Sequence, residues 1–150
     1  MENPYMRAAI NTALLCEKDG EVPVGAVIVK DGEIIATGRN RRETGKNALA
    51  HAEIEAIDRA CRLLGGWRLQ GCDLYVTLEP CPMCAGAIIN ARIRTVYFGA
   101  YDNKAGSFGS VVDFSTLPYN HKPEIIGGVM EEECASLLSS FFKKLRDKKQ

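Results

Sequence analysis

The sequence has little of several features that mark particular classes of protein. Its 150 residues include 19 Lys and Arg against 19 Asp and Glu, so the formal net charge is zero. This balance argues against proteins that hold nucleic acid by bulk charge, although it permits a local basic patch. No apolar run approaches the roughly 18 residues of a membrane span, so we expect no association with a membrane. The first ten residues lack the basic start and apolar stretch of a secretory signal peptide.

The overall composition is typical of a globular protein, with 46% apolar and 25% charged residues. A chain of this length buries enough surface to fold as one domain without disulfides. We therefore predict a single domain over residues 1–150 that ends in a short polar tail, 147–150. The sequence also predicts a cytoplasmic location, a compartment in which thiols stay reduced.

Histidine is scarce and cysteine is not, which narrows the set of candidate metal ligands. The chain has two histidines, His51 and His121, and six cysteines, of which only Cys81 and Cys84 are closely spaced. In a reducing compartment, a C-x-x-C pair indicates metal binding or redox chemistry. The remaining cysteines lack ligand spacing and are predicted to be core or surface residues: Cys16, Cys61, Cys72 and Cys134. His121 has no ligand partner in the sequence, so we predict a structural or surface role for it.

Hydrophobic periodicity predicts alternating strands and helices. The Asp31-Gly32 turn between two apolar segments is typical of a β-hairpin, and the polar, basic segment 38–47 is typical of a loop. Strands are predicted at 24–30, 33–37, 73–78 and 95–100, helices at 5–18, 51–64, 81–90 and 131–149, and a short helical turn near 111–117. This order favours a mixed sheet with helices on both faces.

Two segments with metal-binding side chains each begin a predicted helix. His51 and Cys81 stand at the helix starts, where the helix dipole lowers thiol pKa values and favours the metal-binding thiolate. If the two starts converge, His51, Cys81 and Cys84 supply three ligands to zinc and leave the fourth position to an activated water. Glu53 lies two residues after His51 and points in another direction, which suits a proton shuttle beside that water.

Neither segment is specific by itself. A C-x-x-C pair alone also fits redox and structural zinc sites, and His-x-Glu occurs by chance. Together, H-A-E at 51–53 and P-C-P-M-C at 80–84, separated by a predicted strand, match the signature of zinc-dependent deaminases. We therefore interpret the two segments as the metal and catalytic site of a deaminase.

Longer segments are more particular than this signature. They are VPVGAVIV (22–29), HAEIEAI (51–57), TLEPCPMCAGAI (77–88), GAYDNKAGSFGS (99–110) and EEECASLLSSFFKKLR (131–146). In these segments the chain resembles the bacterial tRNA-specific adenosine deaminases from about residue 5 to residue 146. The resemblance implies a three-layer α/β fold of the cytidine deaminase type, with a mixed, mostly parallel central sheet of about five strands. It also implies conversion of the wobble adenosine of a tRNA anticodon to inosine by a homodimer.

The resemblance further implies roles for individual residues. It implies that His51, Cys81 and Cys84 bind one Zn²⁺ per subunit and that the activated water attacks C6 of adenine. Glu53 would take a proton from that water, pass it to the ring nitrogen and later protonate the leaving ammonia. Other positions match residues that contact the base (Asn40, Val24, Leu78 and Pro80), an RNA-facing loop (Asp102 and Lys104) or the last helix beside the anticodon (Phe142 and Arg146).

Two segments depart from the usual pattern of that family. Asn47-Ala48-Leu49 stands where Asp-Pro-Thr is usual, and Ser107-Phe108 stands where small residues are usual. Phe108 would either stack on RNA or narrow the site. The departures keep an alternative open, a deaminase of a free nucleobase or nucleoside of the guanine or cytosine type. A third hypothesis, a zinc-stabilised RNA-binding module without catalysis, leaves the Glu53 carboxylate unexplained.

Basic residues are concentrated in two short segments despite the zero net charge. Residues 39–46 hold four basic residues against one acidic residue, and residues 143–150 hold five against one. If these segments flank the same pocket, they favour recognition of one defined RNA shape over general binding of polyanions. Of the adjacent Phe141 and Phe142, we expect one to pack inward and the other to face outward.

Overall fold

The computed structural model describes residues 1–148, which form a five-stranded sheet between two layers of helices. The strands are β1 (Gly25–Lys30), β2 (Glu33–Arg39), β3 (Cys72–Leu78), β4 (Thr95–Ala100) and β5 (Glu124–Ile126). The helices are α1 (Pro4–Leu14), α2 (Ala52–Leu64), α3 (Pro82–Ala91) and α4 (Glu131–Lys148), with 3₁₀ helices at Leu15–Asp19 and Phe114–Thr116. Across the sheet the strand order is β2-β1-β3-β4-β5.

Strand β1 determines the direction of its neighbours. It pairs antiparallel with β2 and β3, whereas the pairs β3–β4 and β4–β5 are parallel. The expected mixed, mostly parallel sheet of five strands is confirmed, because β2, β3, β4 and β5 all run in one direction and only β1 runs in the other. The hairpin explains part of this, since Asp31 and Gly32 have φ values of 51° and 79° and close a tight turn between β1 and β2. Because β2, β3 and β4 then share one direction, their carboxyl ends lie at the same edge of the sheet.

Each face of the sheet packs against two helices. Helices α1 and α4 cover one face, and α2 and α3 cover the other. Two hydrophobic clusters fill these interfaces, with Met6, Ile10, Val27 and Leu137 in the first and Ile57, Leu74, Ile88 and Phe98 in the second. Burial of these apolar side chains is the main stabilising contribution to such a layered fold.

Two glycines allow a helix to lie directly on a strand. A Cβ atom at Gly25 would collide with the backbone of Ala9 in α1, and one at Gly38 would collide with the backbone of Ala52 in α2. Only glycine permits such a close approach. Since Ala52 is the first residue of α2, Gly38 also holds the start of that helix against strand β2.

The predicted elements agree with the structure within a few residues, with two differences. The first helix ends at Leu14 and continues as a 3₁₀ helix. Periodicity gives no indication of β5, because three residues are too few to show an alternation. The last predicted helix is described as far as Lys148, and residues 149 and 150 of the predicted polar tail lie outside the described part of the chain.

Within residues 1–148, no helix combines the length and the apolar character needed to cross a membrane.

Candidate active site

The candidate site lies at the edge of the sheet where β2, β3 and β4 end. His51 immediately precedes α2, and Cys81 immediately precedes α3. Neither side chain forms a capping hydrogen bond with its own helix, so both the imidazole and the thiol are available as ligands. Cys84 follows in the first turn of α3 and is buried. The predicted convergence of the two helix starts is confirmed.

The three donor atoms fit a tetrahedral zinc ion. Nδ1 of His51 lies 3.6 Å from Sγ of Cys81 and 3.5 Å from Sγ of Cys84, and all three donors lie within 4.8 Å of one another. Bond lengths of about 2.0 Å to nitrogen and about 2.3 Å to sulfur place two tetrahedral ligands about 3.5 Å apart. Three ligands leave a fourth coordination position, which is the arrangement of catalytic zinc sites.

Hydrogen bonds and burial set the charges of the donors. A hydrogen bond from Cys84 lowers the pKa of the Cys81 thiol to about 4, against the effect of burial, and His51 adds to the lowering. That same hydrogen bond, together with burial, raises the pKa of Cys84. The hydrogen bond to Cys81 raises the pKa of His51. The hydrogen bond between the two cysteines therefore favours the thiolate form of one of them, which is the form that binds metal.

Glu53 lines the same cavity as the donors His51 and Cys81, and 4% of its surface is exposed. Burial raises the pKa of its carboxyl group to about 7. A carboxyl group with a pKa near neutral pH can both take up and release a proton, which is the requirement for a general acid–base catalyst. The structure thus brings Glu53 to the place that the sequence predicts, and its catalytic role stays a prediction.

A cavity of about 170 Å³ lies beside the donors. The residues predicted for the site that line it are Val24, Asn40, His51, Glu53, Leu78, Cys81 and Asp102. Sequence reasoning misses other lining residues, namely Val22, Arg42, Ala52, Glu79 and Ala105. The spacing offers a signal for Val22, because residues two apart in an extended segment point to the same side and Val22 lies two residues before Val24.

Asn40 is held in place by its own side chain. Nδ2 donates to the carbonyl of Val22 at 3.1 Å, and Oδ1 accepts from the backbone N–H of Arg42 at 3.1 Å. Since an amide group has two N–H donors and two acceptor lone pairs, one of each stays available for a ligand. The residue is 7% exposed and lines the cavity, so its free donor and acceptor have a fixed direction.

The loop after β4, residues 102–110, forms another wall of the cavity. Asp102 lines the cavity, but its Oδ1 also accepts hydrogen bonds from the N–H groups of Lys104 and Ala105, at 3.0 and 3.2 Å. Lys104 is exposed. The expectation for Phe108 is wrong on both counts: this side chain is 4% exposed, lies in the hydrophobic core and does not line the cavity. Its apolar ring is better buried in the core than exposed to water.

The remaining predicted residues lie outside the cavity lining. Pro80 is buried between Glu79 and the donor Cys81. Phe142 and Arg146 are exposed on α4, while Phe141 is half-buried, as expected for adjacent positions on one helix. The Nε2–H group of His121 donates to the carbonyl of Ile93 at 2.7 Å, in agreement with a structural role.

One residue of each basic segment pairs with an acidic residue of the 3₁₀ helix Leu15–Asp19. Arg39 forms an ion pair with Asp19 at 3.5 Å, and Nζ of Lys144 lies 3.9 Å from the carboxylate of Glu17. Arg39 and Lys144 therefore lie at the same short helix, which precedes the cavity-lining residue Val22 in the chain. Arg42 lines the cavity itself.

Comparisons with known proteins agree with this geometry. Residues 1–100 match the family model of the cytidine and deoxycytidylate deaminase zinc-binding region. The tRNA-specific adenosine deaminase of Bacillus subtilis (strain 168) is 52% identical over 147 residues, which cover 97% of this chain and 91% of the relative. The chain belongs to the tRNA-specific adenosine deaminase family. The family member of Agrobacterium fabrum is 47% identical, over 95% of this chain and 94% of the relative.

Solved structures place the chain in the same family. A structure from studies of A-to-I editing by tRNA:A34 deaminases has a TM-score of 0.88 and 46% identity, and the match covers 91% of this chain and all of that one. Guanine deaminase from Bacillus subtilis is less similar, with a TM-score of 0.64 and 35% identity, over 98% of this chain and 95% of that one. As a member of the tRNA-specific adenosine deaminase family, the protein is a hydrolytic deaminase with a zinc-binding domain.

Proposed function

We propose that this protein converts the wobble adenosine of a tRNA anticodon to inosine by hydrolytic deamination. The observation that carries the proposal is the cluster of His51, Cys81 and Cys84, of which His51 and Cys81 line a cavity together with buried Glu53. The chain is 52% identical to a tRNA-specific adenosine deaminase, which supplies the substrate class. A cytoplasmic location, a homodimer and one zinc ion per subunit are parts of the same proposal.

The chemistry divides between the metal ligands and Glu53. His51, Cys81 and Cys84 hold zinc, which when bound supplies Lewis acidity that activates water near neutral pH. The Glu53 carboxylate accepts the proton that the water loses and delivers it to N1 of the adenine ring. It then takes the remaining proton from the oxygen that has been added to C6 and passes it to the amino group, which leaves as ammonia while the C6 carbonyl of inosine forms. A pKa near 7 suits a group that must hold and give up the same proton.

The cavity walls suit a base taken out of its stack. Val24 and Leu78 offer apolar surface to the ring, and the free amide donor and acceptor of Asn40 face its edge. Recognition of a flipped base requires this combination of apolar contact and a few polar groups. Anticodon loops present bases that are already splayed, so such a base costs less to extract than one in a duplex.

The RNA outside the cavity would meet basic and aromatic side chains. Lys104 on the loop after β4, and Phe142 and Arg146 on α4, are exposed. Lysine and arginine neutralise phosphates, and exposed aromatic rings stack on unpaired bases. Leu49 is exposed, lies two residues before His51 in the chain, and stands where the family usually has a residue with a hydroxyl group.

Deamination of a free base is the weaker candidate. The guanine deaminase match has lower identity and a lower TM-score than the tRNA:A34 deaminase match. Nothing at the departures from the family pattern restores that candidate, because Phe108 is in the core and Asn47 accepts a local hydrogen bond from the N–H of Leu49 at 2.9 Å.

The test is an assay of zinc-loaded protein on a stem-loop with adenosine at the wobble position. We expect inosine at that position, no change in a stem-loop with guanosine there, and no turnover of free guanine, cytosine or adenosine. A Glu53→Gln variant with full zinc content serves as the inactive control. Turnover of a free base together with unchanged stem-loops would overturn the proposal.

A further inference from the structure

We propose that Glu79 is a positioning residue that holds the 102–110 loop against the cavity and thereby determines how tightly the RNA substrate binds. The inference rests on the function proposed above. Glu79 follows strand β3, lies between Leu78 and Pro80, and is 2% exposed. No part of the proposed chemistry uses its carboxylate.

The first observation is that this buried carboxylate is satisfied by a single loop. Oε1 accepts from the N–H of Asp102 at 3.1 Å and from the hydroxyl of Ser110. Oε2 accepts from the N–H groups of Phe108 and Ser110, each at 3.1 Å. Within residues 1–148, no Lys, Arg or His side chain forms an ion pair with Glu79, so the loop is what compensates for its burial.

The second observation is how closely the loop passes over Glu79. A Cβ atom at Gly106 would collide with the Glu79 carboxylate, so the loop backbone lies directly on it. The loop is attached once more by the N–H of Ser107, which donates to the carbonyl of Pro80 at 2.9 Å. Both attachments lead to the chain segment immediately before the donor Cys81.

The third observation links the attachment to the substrate. Asp102, whose N–H bonds to Glu79, and Ala105 both line the cavity, and Lys104 between them is exposed. A 102–110 loop released from Glu79 would still be attached to β4, but the residues of the loop that line the cavity would no longer be held in one fixed position. Loss of order in a binding wall lowers affinity more than it slows a reaction catalysed elsewhere in the site.

The variant Glu79→Gln keeps the shape of the side chain and changes only its bonding. Its amide group has one acceptor oxygen, and its NH₂ group must face an N–H donor whichever way it turns. At Oε1 it would meet the N–H of Asp102, and at Oε2 those of Phe108 and Ser110. Ser110→Ala is a milder variant that removes the hydroxyl contact and leaves the three backbone contacts.

A matched control lies on the same strand. Asp73, the second residue of β3, forms a two-point ion pair with Arg94 at 3.0 and 2.9 Å and does not line the cavity. Asp73→Asn therefore makes the same chemical change, carboxylate to amide, at the far end of the strand. Any effect of that control on the cavity would be indirect.

The experiment compares kcat, KM, zinc content and backbone hydrogen exchange for the unaltered protein and three variants, Glu79→Gln, Ser110→Ala and Asp73→Asn. For Glu79→Gln we expect KM for the wobble-adenosine stem-loop to rise about tenfold while kcat falls less than about threefold. Backbone amides of 102–110 should exchange faster, with zinc content unchanged. Ser110→Ala should shift KM and exchange in the same direction by less, and Asp73→Asn should shift neither.

Several results would overturn the inference. A lower melting temperature with KM and loop exchange unchanged would give Glu79 a merely structural role. Loss of zinc with a fall in kcat would show that it supports the metal ligands instead. If the unaltered protein does not deaminate the stem-loop, the proposed function fails, and the Kd of that stem-loop together with loop exchange still decides the role of Glu79.

Discussion

The substitution Asn40→Ala separates what this residue contributes to stability from what it contributes to substrate binding. It removes the two hydrogen bonds to Val22 and Arg42. At about 1 kcal/mol each, their loss lowers the free energy of unfolding by about 2 kcal/mol. For a domain of this size the melting temperature should fall by about 4–8 °C.

Activity should fall for a different reason. Asn40 lines the cavity with one donor and one acceptor unused, and under the proposed function one of them bonds the base. Losing one such hydrogen bond would weaken transition-state binding by about 1.4 kcal/mol, or tenfold in kcat/KM. We expect a loss of at least this size. The assay is single-turnover inosine formation on the wobble-adenosine stem-loop, at a temperature where the variant is fully folded.

Asn3→Ala is the matched control. Asn3 caps α1 by accepting from the N–H groups of Tyr5 and Met6, at 3.0 and 2.9 Å, and it does not line the cavity. Its loss should cost about 1 kcal/mol of stability and leave kcat/KM unchanged. The reasoning is refuted if Asn40→Ala, once folded, keeps the kcat/KM of the Asn3→Ala control.

Three further predictions concern the donors and the buried acids. Glu53→Gln should lower kcat by about 10³-fold or more in a single-turnover assay, while elemental analysis shows unchanged zinc content. Loss of zinc in this variant would instead identify Glu53 as a metal ligand. Cys84→Ala should abolish stoichiometric zinc binding and lower the melting temperature. A chelator should have the same two effects on the unaltered protein. Full zinc occupancy in the variant would contradict the assignment of Cys84 as a ligand. Burial raises the pKa of Glu21, but hydrogen bonds from Thr44 and Glu43 outweigh it and hold the pKa below the ordinary 4.5. The stabilising contribution of the Glu21 carboxylate is therefore complete above the unfolded-state pKa and is lost as the pH falls through the lower folded-state pKa. Glu21→Gln should thus make the free energy of unfolding, measured by urea unfolding, depend less on pH on the acid side. An unchanged pH dependence there would contradict this.

Local sequence signals predict the elements of this fold well where each signal is strong. The Asp31-Gly32 turn, the helix that ends at Gly65 and the acidic start of α4 all depend on residues close together in the chain. Such signals do not predict the antiparallel pairing of β1 with β3, because these two strands are joined by a long connection. Strand β5 is similarly hidden, since it is short and gains its order from pairing with β4.

The site shows the same division between near and distant residues. H-x-E and P-C-x-x-C predict the donors and Glu53, because the chemistry of zinc and proton transfer demands those residue types at helix starts. The burial of Phe108 and the tether of Glu79 depend on contacts between segments about thirty residues apart in the chain, and no local pattern indicates them.

By itself, the sequence determined the kind of chemistry, because metal ligands and a proton shuttle are recognisable as residue types at characteristic spacings. Its zero net charge excluded bulk attraction of polyanions, and its family resemblance indicated an RNA substrate. Only the tertiary structure decided that β2, β3 and β4 end at one edge, so that His51, Cys81 and Cys84 meet within 4.8 Å. It also decided which side chains face the cavity, since burial depends on the packing of all layers together.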